Sequence, residues 1–227
     1  MIVVAAGQGV RFGGGGPKQF HELRGSPLLL HSLRPFLSHP AVAEVVVVLP
    51  ASAAAAPPEW LAPLMGDRLR VVPGGGARMD SVEAGFRALG QESAIVLVHD
   101  GARPFPDPAV IDTIIAEARR GVGAIAAVPL HDTLKEAMDG PAVPPRVART
   151  VPRTRLWRAQ TPQGFPRAML ESALHAARAD GFVGTDEASL VERTGATVVL
   201  VPDSETNLKV TTPDDLRIAE ALAAERR

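Results

Sequence analysis

The feature that most limits what this chain can fold into is an alternation that runs along nearly all of its 227 residues. Short, valine-rich apolar runs take turns with longer segments of helical period. Residues 2–5, 44–49, 69–72, 95–99, 124–128 and 197–201 read as strands. A strand that is apolar at every position has no wet face and needs cover on both sides. Helical segments fall at 80–89, 108–120, 166–179, 186–193 and from 212 onward. Ser26-Pro27 ahead of Leu28, Leu29, Leu30, Leu33, Phe36 and Leu37 predicts a capped helix with proline in its first turn. The alternation predicts a doubly wound α/β fold with a mostly parallel sheet and helices on both faces. Such sheets bind ligands beyond the carboxyl ends of their strands, so the loops after the strands are where chemistry is expected.

Residues 131–155 break the rhythm. They carry Pro141, Pro144, Pro145 and Pro152 beside Lys135, Arg146, Arg149, Arg153 and Arg155. The segment is either a flexible loop or a β-arm reaching out from the sheet, and long insertions of this kind tend to serve function. The whole chain, 1–227, reads as one domain that includes this excursion. Residues 51–58, rich in alanine, read as a surface connection.

Composition excludes several classes. The formal charge of −1 gives no global field for nucleic acid, although a local site can still hold a small anion. With no cysteine, disulfides, thiolate catalysis and zinc–sulfur sites are out. No apolar run approaches the roughly 20 residues that span a bilayer, and 1–7 lacks the basic flank of a secretion signal. A cytoplasmic enzyme with no membrane partner is the expectation. The six histidines show no metal spacing.

The first strand runs straight into Ala5-Ala6-Gly7-Gln8-Gly9-Val10-Arg11-Phe12, then four glycines and Pro17-Lys18-Gln19. Glycines let backbone N–H groups turn toward an anion, and Arg11 and Lys18 add two fixed charges. Phe12 stands where a dinucleotide fingerprint needs glycine, and Pro17 and Gln19 flank Lys18 where a P-loop needs glycine and serine or threonine.

Gly7-x-Gly9-x-Arg11 followed by Pro17-Lys18-Gln19 resembles the signature of sugar-phosphate nucleotidyltransferases. More narrowly, it resembles the 2-C-methyl-D-erythritol 4-phosphate cytidylyltransferase family. Further matches follow in order: Gly74-Gly75-x-x-Arg78-x-x-Ser81-Val82, His99-Asp100-x-Ala102-Arg103-Pro104, and Asp132-Thr133. After them come Arg153-x-x-Leu156-Trp157, Thr161-Pro162-Gln163, Thr185-Asp186-Glu187-Ala188, and Asn207-x-Lys209-Val210-Thr211. The ordered set is specific where each piece alone is weak. The family often carries an acidic residue after the glycine pair, where this chain has Gly76.

The resemblance implies a homodimer supported by an extended β-arm, here at about 131–155. It also implies transfer of CMP from CTP to 2-C-methyl-D-erythritol 4-phosphate, with release of pyrophosphate and Mg²⁺ as the cation. Ribitol 5-phosphate is an alternative acceptor. The resemblance makes Arg11, Lys18, Arg153 and Lys209 the catalytic cations, the first two on the transition state and the last two aiming the acceptor phosphate. The nucleotide would meet Ala5, Ala6, Gly7, Gly9, Arg11, Lys18, Gly75, Ser81 and Asp100. The acceptor would meet Asp100, Arg103, Thr133, Arg153, Thr161, Thr185, Lys209 and Thr211. Three roles are open to Asp100: magnesium ligand, acceptor for substrate hydroxyls, or cap for the next loop, with the hydroxyl role favoured. Ser81 can cap its helix, contact the base, or both. Asp186 reads equally as an N-cap or a ligand, and His99 as a packing residue. A non-catalytic nucleotide-binding regulator would not need all four cations.

Overall fold

The computed structural model describes residues 1–7, 17–141 and 143–225. Arg11, expected to be catalytic, and Gly9, expected at the nucleotide, lie outside the described residues. The N-terminal part contains β1 (Ile2–Val4), a small hairpin of β2 (Glu22–Leu23) and β3 (Ser26–Pro27), α1 (Leu28–Ser38), β4 (Val45–Leu49), α2 (Ala51–Ala55) and β5 (Leu69–Pro73). The middle contains α3 (Arg78–Ala88), β6 (Ile95–Asp100), α4 (Pro108–Arg119), β7 (Gly123–Pro129), β8 (Leu134–Ala137) and β9 (Val147–Val151). The last part contains β10 (Trp157–Pro166), α5 (Arg167–Ala179), α6 (Glu187–Arg193), β11 (Val198–Pro202) and α7 (Pro213–Glu225).

Seven strands form one sheet in the order β11-β7-β10-β6-β1-β4-β5. Every neighbouring pair is parallel except those made by β10, which runs antiparallel to both β6 and β7. The expected doubly wound, mostly parallel α/β fold is therefore present. The continuous valine run has a simple cause: Val45, Val47 and Leu49 enter the core on one face, and Val46 and Val48 enter the core on the other. Helices α1 and α4 cover the first face, and α3, α5 and α6 the second.

From β1 the chain moves outward to β4 and β5, then returns to lay β6 on the opposite side of β1. That reversal opens a crevice at the carboxyl ends of β1 and β6, where Val4 is in register with Asp100.

Three local readings are corrected, and the segment left open between a loop and a β-arm takes a form. Pro27 is the residue before α1, and Ser26 pairs with Leu23 instead of capping the helix, because the hairpin claims its backbone. Residues 51–55 form the short α2. The strand β10 has no counterpart among the strands read from the sequence. The irregular segment 131–155 carries an antiparallel hairpin, β8 with β9, braced by Arg149–Glu136 at 2.6 Å and Lys135–Thr150 at 2.7 Å.

Candidate active site

The crevice holds a cleft of about 430 Å³ whose lining includes Ala5, Ala6, Gly7, Lys18, Gly75, Ser81, Asp100 and Lys209. One wall is the glycine turn between β5 and α3. A Cβ on Gly74 would stand 2.4 Å from the Cβ of Ala6, and one on Gly75 would stand 2.3 Å from that of Asp80. Real Cβ atoms do not approach so closely, so glycine is required where the turn meets the first loop and the helix. The turn is locked by side chains. The Asp80 carboxylate accepts from Ala77 N–H at 2.8 Å, and Ser81 Oγ accepts from Gly75 N–H at 3.3 Å. Ser81 thus lies inside the first turn of α3 and pins the loop, and the capping part of its reading is corrected: the residue before the helix is Ala77.

The opposite wall is the start of the chain. The Gln19 amide donates to Ala5 O at 2.5 Å, folding the turn Lys18–Phe20 back onto the exit of β1. Lys18 Nζ donates to Val210 O at 2.9 Å, which ties this turn to the segment carrying Lys209.

Asp100 closes β6 at the floor. Its Oδ2 lies 2.7 Å from Lys209 Nζ and 3.9 Å from Arg103 Nε, and its Oδ1 lies 3.3 Å from Arg78 Nη2. Burial alone would raise its pKa. The Lys209 ammonium and the Arg78 guanidinium outweigh that and hold the carboxyl far below the usual carboxylate range. Arg78 also forks onto Glu187, with Nη1 to Oε1 at 2.5 Å and Nη2 to Oε2 at 3.0 Å. Burial pushes the Glu187 carboxyl up while Arg78 pulls it back.

Beside the first cleft lies a second, of about 250 Å³, lined in part by Arg103, Gln160, Thr161, Thr185 and Asp186. Arg78, Asp100 and Lys209 line both clefts, so one charged wall separates them.

Several residues that line or border these clefts are committed to holding that wall. His99 is fully buried, and its Nε2 faces Arg103 O at 3.0 Å. A carbonyl can only accept, so Nε2 carries the proton and Nδ1 accepts from the Thr161 hydroxyl at 3.0 Å. Thr161 Oγ1 in turn accepts from Asp100 N–H at 3.0 Å. Burial lowers the His99 pKa to about 4, keeping the ring neutral. Arg103 Nη1 donates to Asn207 O at 2.6 Å, and Asn207 Nδ2 donates to Thr161 O at 2.9 Å. Arg103 therefore braces the loop that carries Lys209. Asp186 is the N-cap of α6, accepting from Ser189 N–H at 2.9 Å, and its other oxygen takes Gln163 Nε2 at 2.8 Å. The Thr211 hydroxyl donates to Asp215 Oδ2 at 2.6 Å, at the start of α7. Arg153 Nη1 donates to the Thr133 hydroxyl at 3.2 Å, so these two meet at the base of the hairpin, and neither lines the two clefts.

Among the described residues no three histidine or acidic side chains cluster as metal ligands. Asp100 is the carboxylate at the floor, and cations occupy both of its oxygens. This donor set suits an ion carried by a polyphosphate with at most one protein carboxylate, and not a cage built by the protein.

A family model described as 2-C-methyl-D-erythritol 4-phosphate cytidylyltransferase matches residues 1–225. The chain belongs to this family. A cytidylyltransferase of that name from Bacillus licheniformis is 42% identical over 229 residues, covering 100% of this chain and 96% of its own. Another from Streptomyces coelicolor is 45% identical over 232 residues, covering 100% and 85%. The crystal structure of the enzyme of the same name from Thermus thermophilus superposes with a TM-score of 0.80 at 35% identity, covering 99% of this chain and 98% of that one.

Within the cytidylyltransferase frame, sequence reasoning brought Lys18, Gly75, Ser81, Asp100 and Lys209 to one cleft. It passed over Arg78 and Glu187 as functional groups, although both stood inside quoted motifs. They are 109 residues apart, and no local pattern pairs them.

Proposed function

We propose that the chain transfers CMP from CTP to 2-C-methyl-D-erythritol 4-phosphate, releasing pyrophosphate and 4-diphosphocytidyl-2-C-methyl-D-erythritol. The observation that carries this reading is the pair of clefts sharing Arg78, Asp100 and Lys209 as a common wall. The larger cleft, with its glycine turn and Lys18, takes the nucleotide. The smaller takes the acceptor, whose phosphate reaches Lys209.

An acceptor phosphate oxygen attacks the α-phosphorus of CTP. The bond to the bridging oxygen breaks, and its electron pair leaves with pyrophosphate. The acceptor phosphate is already largely ionised at neutral pH, its second pKa being about 6, so the site needs no general base. Catalysis is alignment plus stabilisation of the charge on the α-phosphoryl oxygens. Lys18, together with Arg11 from the same loop, supplies that charge, and Lys209 and Arg153 aim the acceptor phosphate. If magnesium is bound with the triphosphate, Asp100 would be the protein carboxylate to hold it, and the ion would supply further neutralisation. Asp100 is equally suited to accept from acceptor hydroxyls. Arg103 and Thr161 position the wall, and Thr185 lines the acceptor cleft. Thr211 supports Lys209 through its bond to Asp215.

Arg153 and Thr133 lie at the base of the hairpin away from both clefts, so their role calls for the hairpin of a second copy, in a homodimer. A cytoplasmic location goes with this reading, because both substrates are multiply charged phosphates that do not cross a bilayer unaided.

Purified protein with CTP and Mg²⁺ should release pyrophosphate on addition of methylerythritol phosphate and much less with ribitol 5-phosphate. Release with the ribitol ester alone would overturn the choice of acceptor. The relatives named above all carry the methylerythritol name, which favours the first acceptor.

A further inference from the structure

Arg78 is the first residue of α3, directly after the glycine turn that walls the nucleotide cleft. Glu187 is the first residue of α6, next to Thr185 and Asp186 in the acceptor cleft. The two side chains meet through a two-pronged bond, and Arg78 extends the same fork to Asp100. Glu187 is 1% exposed and the Arg78 side chain 28%, so water screens the pair weakly. A carboxylate this deep is retained only beside a partner. The guanidinium thus spends its fork on two carboxylates. A cation engaged in this way is poorly placed to bind a phosphate, although it stands in the wall of both clefts.

We propose that Arg78 and Glu187 are a positioning pair for the transfer reaction, resting on the function proposed above. They clamp the nucleotide-side turn to the acceptor-side loop and fix the carboxylate of Asp100 between them. Glu187 draws the Arg78 charge away from the triphosphate. Arg78, so held, orients Oδ1 of Asp100, and Oδ2 is left to Lys209. With the clamp broken, the α-phosphorus and the attacking phosphate would both still bind, but out of line. A misplacement on the order of 1 Å can cost about 100-fold in rate. Lysine cannot replace Arg78 at such a site, because one ammonium does not reproduce a planar fork shared by two carboxylates.

The test compares Glu187→Gln, Arg78→Lys and Glu187→Asp with the parent enzyme. The readouts are kcat, KM for each substrate, calorimetric binding of CTP with Mg²⁺, and thermal melting. Glu187→Gln and Arg78→Lys should lower kcat at least tenfold and change the CTP dissociation constant by less than threefold. Glu187→Asp, which keeps the charge, should recover part of kcat. If kcat stays within threefold of the parent while melting falls, the pair is structural and the proposal fails. If CTP binding weakens by the same factor as kcat/KM, Arg78 is a nucleotide ligand and the proposal also fails. Should Glu187→Gln unfold, Arg78→Lys and Glu187→Asp decide by the same criteria. A parent enzyme that releases no pyrophosphate would sink the functional reading itself, which separates the two failures.

Discussion

Asp100 sits where burial disfavours its charge, and Lys209 and Arg78 from distant parts of the chain, with Arg103 three residues on, keep it ionised. The same burial acts on the residue before it with the opposite outcome: it outweighs the pull of the Asp100 charge and keeps His99 neutral. The bonds to Arg103 O and the Thr161 hydroxyl fix which ring nitrogen of the neutral His99 carries the proton. His99 makes a pH prediction possible. Its folded pKa is about 4, against 6.5 for the free side chain. Between those values the unfolded chain binds a proton that the folded chain does not, so stability is full above pH 6.5 and is lost as pH falls toward 4. The slope approaches about 1.4 kcal/mol per pH unit at most. Melting followed from pH 7 to pH 5 should show a falling midpoint, with a smaller fall in His99→Gln. An equal fall in both proteins would remove His99 as the cause.

At the scale of elements, what the sequence showed and what it hid have separate physical causes. The runs at β4, β6 and β7 were legible because strands covered on both faces must be apolar throughout. The strand β10 was hidden for the converse reason. It runs Trp157 to Pro166 through Gln160, Thr161, Gln163 and Gly164, and the buried side chains of Thr161 and Gln163 bond to partners outside the strand. No periodicity announces such a strand. The glycine turn and Lys18 could be read because their chemistry is local, whereas the Arg78–Glu187–Asp100 cluster exists only once distant segments converge. The hairpin β8–β9 was half legible: proline and basic content marked an excursion, and cross-strand pairs such as Glu136 with Arg149 give it form. It leaves Met138 56%, Val143 94% and Val147 59% exposed. Apolar side chains raised on a hairpin suit a partner surface, which the proposed homodimer would supply. Sedimentation should find the protein dimeric, and Val147→Glu should shift it toward the monomer. A parent protein that sediments as a monomer at assay concentrations would refute the arm's role.

At the scale of the whole molecule, the order of winding creates the site. Laying β6 on the far side of β1 opens the crevice, and inserting β10 antiparallel beside β6 carries Thr161 and Gln160 to the smaller cleft. The loop before α7 then returns Lys209 to the same floor, locked by Asn207 and by Lys18. Two clefts with one charged wall are thus a product of topology, and the proposed reaction needs that juxtaposition. The most direct measurement is a crystal structure of the protein with CTP, Mg²⁺ and the acceptor's non-phosphorylated polyol. The nucleotide should lie along the glycine turn, with its α-phosphate between Lys18 and the Asp100–Lys209 wall and the polyol in the cleft of Thr161 and Thr185. A triphosphate bound elsewhere, or both ligands competing for one cleft, would contradict the account.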